Sequence, residues 1–538
     1  MATAAPQRAW RALCPNCGAP LEFASAASAS AVCSFCRSTL LREGEQLRRI
    51  GQAAELFDDY SPLQLGASGR YQGAAFRLIG RLQLGYDGGS WNEWHALFDS
   101  GRSGWLSEDN GSFVFSFEAP PEGLPAASAL QLGAQQLLAG QPWRVAALTT
   151  ITRASAQGEL PQQPPAAGGY LIAELRNPQN EVATLDYGLP GRVLASIGRP
   201  VRLADLSMAG LREDSSKTLS ARSFPCPSCG AALEPKLAQS KSIVCGQCKS
   251  VVDISATGGL GAELAHYAQE NGLEPLLPLG RNGVLPLPAS SGTAHLPWTV
   301  VGYQERCDLP AAGSDEEQTF WREYLLFNRQ EGFAFLVDSE DGWSLVRPLT
   351  GAPAGVAGDT VNWQGKRFKR RWRYAAKVTY VLGEFYWRVQ REDRALVTDY
   401  LGQGEARNEL LSCEQSGQEL VWSHGHKLDA SEVAKAFRLA PEQRAALTRD
   451  AGATDLGAAL TGASLTTKIV IALFVMAVLA IILFSKQDDG CQDYRRTYGE
   501  QSAEYAQCLN SRGSNGVRVN GGSGGSWGGF SSGGGGHK

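Results

Sequence analysis

Histidine is scarce in this chain: six occur in 538 residues, at His95, His266, His295, His424, His426 and His537, and none sits in an HExxH or similar helical metal pair. That excludes the common helical zinc-hydrolase site. His424-Gly-His426 is the nearest approach to a ligand pair, and it reads as plain turn residues of a polar hairpin. A phosphate-cradling GxxxxGKS/T loop and a GxSxG elbow are also missing, which removes the usual nucleotide and acyl-transfer signatures. Charge of one sign is lacking too. With 50 Lys plus Arg against 54 Asp plus Glu, the formal charge of −4 gives no chain-wide attraction to nucleic acid or anionic lipid. Met1 to Trp10 hold no apolar run behind a basic start, so no cleaved secretory signal is visible and the N-terminal bulk is expected in the cytosol.

What the chain does have is paired cysteine. Cys14-Pro-Asn-Cys17 and Cys33-Ser-Phe-Cys36 are separated by fifteen residues, as are Cys226-Pro-Ser-Cys229 and Cys245-Gly-Gln-Cys248. A CxxC turn aims two thiolates at one metal, and two such turns joined by short strands complete a tetrahedral S4 shell. Two structural Zn2+ ions are therefore expected, with no open position for a reactive water. Disulfides or a redox CxxC are the competing readings. Cys14 to Ser38 aligns with Cys226 to Ser250 without a gap, so the ribbons are duplicates, each too small to fold without its ion.

The duplication runs on. Phe76 to Gly80 corresponds to Trp298 to Gly302, Trp91-Asn92-Glu93-Trp94 to Trp321-Arg322-Glu323-Tyr324, and Gly158-Glu159 to Gly383-Glu384. Asp186-Tyr187 and Asp399-Tyr400 are read as closing each copy. Short alternating stretches rich in aromatic and β-branched residues, with turns such as Asn110-Gly111 and Asp341-Gly342 between them, predict strand meanders. The expected fold is mainly β: duplicated zinc ribbons, each followed by a small, SH3-like barrel or sandwich whose interior holds aromatics such as Trp105 and Phe335. The modules are placed at 10–42 and 222–255 for the ribbons and 58–208 and 274–438 for the β domains.

The GxxG, WxE(W/Y) and GE(L/F) elements resemble the bacterial family called domain of unknown function 4178, over Pro62 to Asp205 and Pro275 to Phe437. Members of that family are similar in being accessory proteins, often encoded near polyamine-synthesis-like enzymes and small membrane proteins. The resemblance thus implies association and not catalysis. The second copy, with WREYLLF and GEFYWRV, matches the pattern better than the first, with WNEWHALF and GELPQQP.

Ile469 to Phe484 is a run of sixteen uncharged apolar residues, about 24 Å as a helix, and with Leu465 to Lys468 it reaches the ~30 Å of a bilayer core. This predicts one transmembrane helix at 465–484, behind a linker at 439–464 and ahead of a flexible Gly-rich tail at 485–538. Thiolate sites favour a reducing compartment, so the expectation is a single-pass protein of a bacterial inner membrane with cytoplasmic modules and a periplasmic tail. Asp429-Ala-Ser-Glu opens a helix with an Asp or Ser cap, expected to hold the modules near that membrane.

Three functions follow from these pieces. Duplicated modules beside a bilayer suit a scaffold for protein partners, which is the preferred reading. Lys366, Arg367, Lys369, Arg370 and Arg371, with Phe368, Trp372 and Arg373 among them, offer a basic, aromatic patch for nucleic acid; a solvated strand or lipid-facing patch accounts for it better. An enzyme would need repeated carboxylates such as Glu323 and Glu384, beside Trp321, to converge on one cleft. Hydrogen bonding to turns or arginines is the simpler role for them.

Overall fold

Turn chemistry sets the strand pairing. Asn110 and Gly111, with φ of 49° and 81°, supply the two left-handed residues that a tight hairpin turn requires, and Gln364 and Gly365 repeat the device at 49° and 76°. The computed structural model describes residues 10–447, except 26–27, 44–45, 53–60, 88, 166–168, 213–222, 238–239, 255–263, 271, 290–291, 311–316, 330, 357 and 390–391.

In the first copy the strands that form the barrel are β2 (Ala74–Tyr86), β3 (Gly89–Phe98), β4 (Ser103–Asp109), β5 (Ser112–Glu118), β6 (Gln141–Ile151), β7 (Arg153–Leu160), β8 (Tyr170–Arg176), β9 (Val182–Leu189) and β10 (Arg192–Val201), after β1 (Ser30–Val32) of the ribbon. All pairings are antiparallel. The order runs β2-β3-β4-β5-β10-β9-β8-β6, and β7, which continues β6 past Thr152, returns to β2 and closes a barrel. The second copy repeats this with β12 (Gly292–Leu309), β13 (Phe320–Asn328), β14 (Gly332–Ser339), β15 (Gly342–Leu349), β16 (Lys366–Phe385), β17 (Arg394–Gly402), β18 (Glu409–Ser416) and β19 (Glu419–Leu428), following β11 (Ser242–Val244) of its ribbon. Its order is β12-β13-β14-β15-β19-β18-β17-β16, with β16 back on β12. The β content is as expected, but eight strands close each barrel, larger than an SH3-like unit.

Inside the second barrel Trp321, Phe335, Phe385 and Val397 pack together. Its other face buries Trp298, Tyr324 and Trp343 under α1 (Ala430–Ala436), which contributes Val433 and Phe437. Asp429 caps that helix, accepting from Ser431 N at 2.7 Å while Glu432 reaches back to Asp429 N at 3.0 Å. The helix therefore closes a core, each buried side chain contributing about 1.5–3 kcal/mol. Trp105, expected inside, is half-buried beside Leu82.

The single-pass placement in an inner membrane is corrected by these elements. Among the described residues the α-helices are α1 and α2 (Pro441–Ala445), of seven and five residues, and none is long and apolar enough to cross a membrane. Seven residues span about 10 Å, a third of a bilayer core. The segment at 465–484 and the tail at 485–538 lie outside the described residues. Leu439 and Leu447, at the start of the expected linker, are buried against the second barrel.

Candidate metal centres

Each ribbon gathers its four thiols at one point. Cys14, Cys17, Cys33 and Cys36 bring their sulfurs within 4.8 Å of one another, and so do Cys226, Cys229, Cys245 and Cys248. The backbone makes the turns: Gly18 N donates to Cys14 O and Gly230 N to Cys226 O, both at 2.8 Å, while Arg37 N and Lys249 N close the second turns on Cys33 O and Cys245 O. Gly18 and Gly230 have φ of 74° and 76°, which explains the glycine after the first pair.

The Cys14–Cys36, Cys17–Cys33, Cys226–Cys248 and Cys229–Cys245 sulfurs are each 3.7 Å apart. A tetrahedron with metal–sulfur bonds of about 2.3 Å has edges of about 3.8 Å. A disulfide would need about 2.05 Å, and all eight cysteines are free. The donor sets therefore fit a metal ion, with zinc compatible. Ser38 and Ser250 stand 3.2 and 3.3 Å from Cys36 and Cys248 Sγ, and these contacts help hold the two thiols down to about 5 and about 6.

The repeated glutamates prove to be latches. Glu384, at the end of β16, accepts from Lys236 N at 2.8 Å, Leu237 N at 2.9 Å and Ser240 Oγ at 2.7 Å, all in the loop between the two cysteine turns. Glu159, on β7, takes Ala24 N at 2.6 Å, Ser25 N at 3.2 Å and Ser28 Oγ at 2.7 Å at the matching positions of ribbon 1. Strand pairing reinforces the joint, with β1 on β7 and β11 on β16. The glycine before each glutamate is required there: a Cβ on Gly158 or Gly383, at φ 71° and 88°, would lie 2.3 Å from a carbonyl oxygen of the facing strand.

Glu323 lies elsewhere, fully buried inside the second barrel. Trp321 Nε1 donates to it at 2.7 Å, Gln304 donates to its second oxygen, and Arg306 lies 3.5 Å away. Arg306 also reaches Glu414 at 3.1 and 3.2 Å. Burial pushes the Glu414 carboxyl up to about 8 despite that guanidinium. Glu323 and Glu384 thus do not meet in one pocket. Trp91 Nε1 and Glu93 repeat the indole contact at 2.9 Å in the first copy.

The basic residues stay on the surface. Lys366, Arg367, Lys369, Arg370 and Arg371 are all exposed on β16; Lys366 pairs with Glu409 at 2.5 Å, Arg370 with Asp359, and Arg371 lies 5.0 Å over Trp372.

Sequence reasoning missed Arg306 and Glu414. A strand that places Gln304 and Arg306 on one face beside buried Tyr303 and Cys307 carried a usable signal, since a lone inward arginine needs a buried acid. The match of Asp186 with Asp399 is also corrected by register. Glu174 faces Ala147 as Asp399 faces Trp372, and Asp186 faces Ile172 as Glu414 faces Val397.

A family model described as Domain of unknown function (DUF4178) matches residues 64–203 and 295–430, one match on each barrel. No curated protein matches the chain.

Proposed function

The chain belongs to the DUF4178 family through both of its barrels, and from that premise we propose a scaffold: two zinc-folded ribbons, each latched to a barrel, that dock protein partners. The carrying observation is on ribbon 1. Leu13 and Phe35, beside the ligands Cys14, Cys33 and Cys36, are 68% and 72% exposed. Covering side chains of this size is worth about 1.5–3 kcal/mol each. At the matching positions ribbon 2 carries Pro225 and Gln247, so the two ribbons offer different surfaces.

Association without catalysis is supported by what the polar groups already do. The repeated glutamates are occupied by the latches and the barrel interior, and an S4 shell leaves no position for substrate or water. Two linked modules on one chain raise the effective concentration of a second contact once the first has formed.

Quantitative affinity capture of the full chain against a Leu13→Ser/Phe35→Ser variant tests this, with metal content measured alongside. The expected result is a set of captured proteins lost from the variant while both forms hold two zinc ions. An unchanged set would refute the assignment to ribbon 1.

A further inference from the structure

The two barrels touch along a seam. Leu148 N donates to Gln418 O at 3.0 Å, Ala352 N to Asn177 O at 3.1 Å, and Arg202 lies 3.7 Å from Glu331. Between these contacts is a cavity of about 120 Å³, and next to it a groove of about 490 Å³ that shares Ser112, Glu331, Arg347, Pro348 and Thr350 with it.

Arg176 ends β8 at the cavity wall, with its side chain only 9% exposed. Its Nη2 donates to Glu174 at 2.6 Å, but its Nη1 is buried and has no hydrogen-bond partner among the described residues. A buried guanidinium nitrogen without an acceptor is costly, and Arg176 is one of the residues that line the cavity. The other charges are already engaged. Glu331 is shared by Arg202 and Arg347, and Glu174 serves the far arm of Arg176.

Asp109 also lines the cavity, and its negative charge disfavours a dianion. Phe333, Tyr386, Trp422 and Leu349 make much of the remaining wall apolar. An engineered cavity of about 150 Å³ takes benzene, so this space, open to the larger groove, suits a ring or short acyl chain. We propose that the seam between the barrels binds a small monocarboxylate, with its carboxylate on Arg176 Nη1 and its apolar body against Phe333, Tyr386 and Trp422. The site needs both copies, which gives the duplication a use separate from protein docking.

Calorimetric titration of the zinc-loaded full chain with benzoate, benzyl alcohol and inorganic phosphate tests this. Benzoate should bind once per chain, at least about tenfold tighter than either other probe, the worth of one charge-assisted hydrogen bond. A Glu174→Gln/Arg176→Gln variant, which removes the pair without stranding a buried charge, should lose about tenfold or more. Thr350→Phe, which crowds the shared wall and leaves Arg176 in place, should weaken binding as well. Equal binding of benzyl alcohol or phosphate, no saturation by benzoate up to about 10 mM, or wild-type affinity in both variants would overturn the proposal.

Discussion

Removing the Glu384 carboxylate should free ribbon 2 from its barrel without unfolding either. The side chain is 7% exposed and accepts from two backbone amides and one hydroxyl, at 2.7 to 3.0 Å. Hydrogen bonds to a charged group contribute about 1.5–3 kcal/mol each, and water entering the space left by alanine recovers part of the loss. Glu384→Ala should therefore cost about 3–5 kcal/mol locally. At about 1.4 kcal/mol per decade, the amides of Lys236 and Leu237 should exchange with solvent about 100-fold to 4000-fold faster. Hydrogen exchange read by mass spectrometry on the full chain resolves this, and a chelator should extract one of two metal ions sooner. The amides of Ala24 and Ser25, held by Glu159 in the other copy, are the internal control. Unchanged exchange at Lys236 and Leu237, or equal acceleration at Ala24 and Ser25, would refute a local latch.

Two further outcomes follow from buried charge. His95, between Glu159 O at 2.8 Å and Ser103 Oγ at 3.0 Å, is pushed down to about 4 by burial. Its folded pKa lies below the unfolded ~6.5, so the stability it contributes is complete above that value and falls, by about 3 kcal/mol in all, as pH drops towards 4. Urea midpoints of wild type and His95→Asn should differ in slope across that window and run parallel above it. Arg306→Met strands Glu323 and Glu414 and should cost about 3–5 kcal/mol near pH 8. Burial already raises the Glu414 carboxyl to about 8 in the intact protein and removing the guanidinium raises it further, so the loss should grow as pH rises through about 8 and level off below it. A loss independent of pH in the same denaturation assay would count against the buried network.

Local signals were legible and distant ones were not. The cysteine spacing announced both four-thiol clusters because the thiols of each turn are three residues apart and the turn is self-contained. The helix start at Asp429 to Glu432 was legible for the same reason, with the choice between an Asp and a Ser cap left to the structure. Glu159 and Glu384 stood out as repeated, yet their partners lie 135 and 148 residues away, and no periodicity carries that information. Barrel size failed similarly. Whether a meander stays small or closes with eight strands depends on the return of β7 to β2 and of β16 to β12, which are long-range pairings. The Asp-Tyr dipeptides misled because identical letters sit one strand apart, Asp186 on β9 and Asp399 on β17.

The two copies separate what the module must keep from what it can change. Opposite the inner tryptophan of each barrel stands Arg306 in the second copy and Leu84 in the first, facing Trp321 and Trp91. Loss of a cation there should strand the carboxylates around it, and the first copy meets the problem with neutral donors: Trp91 and Ser107 both bond Glu93. Asp186, the counterpart of Glu414, is pushed up by burial only to about 6 and accepts from Gly188 N at 2.7 Å. The interior thus tolerates two solutions of different charge. The latch does not vary in this way: both copies place two amides and one serine hydroxyl on a glutamate that follows a left-handed glycine. Coupling of ribbon to barrel is therefore what both copies keep, and it sits on the strand that closes each barrel.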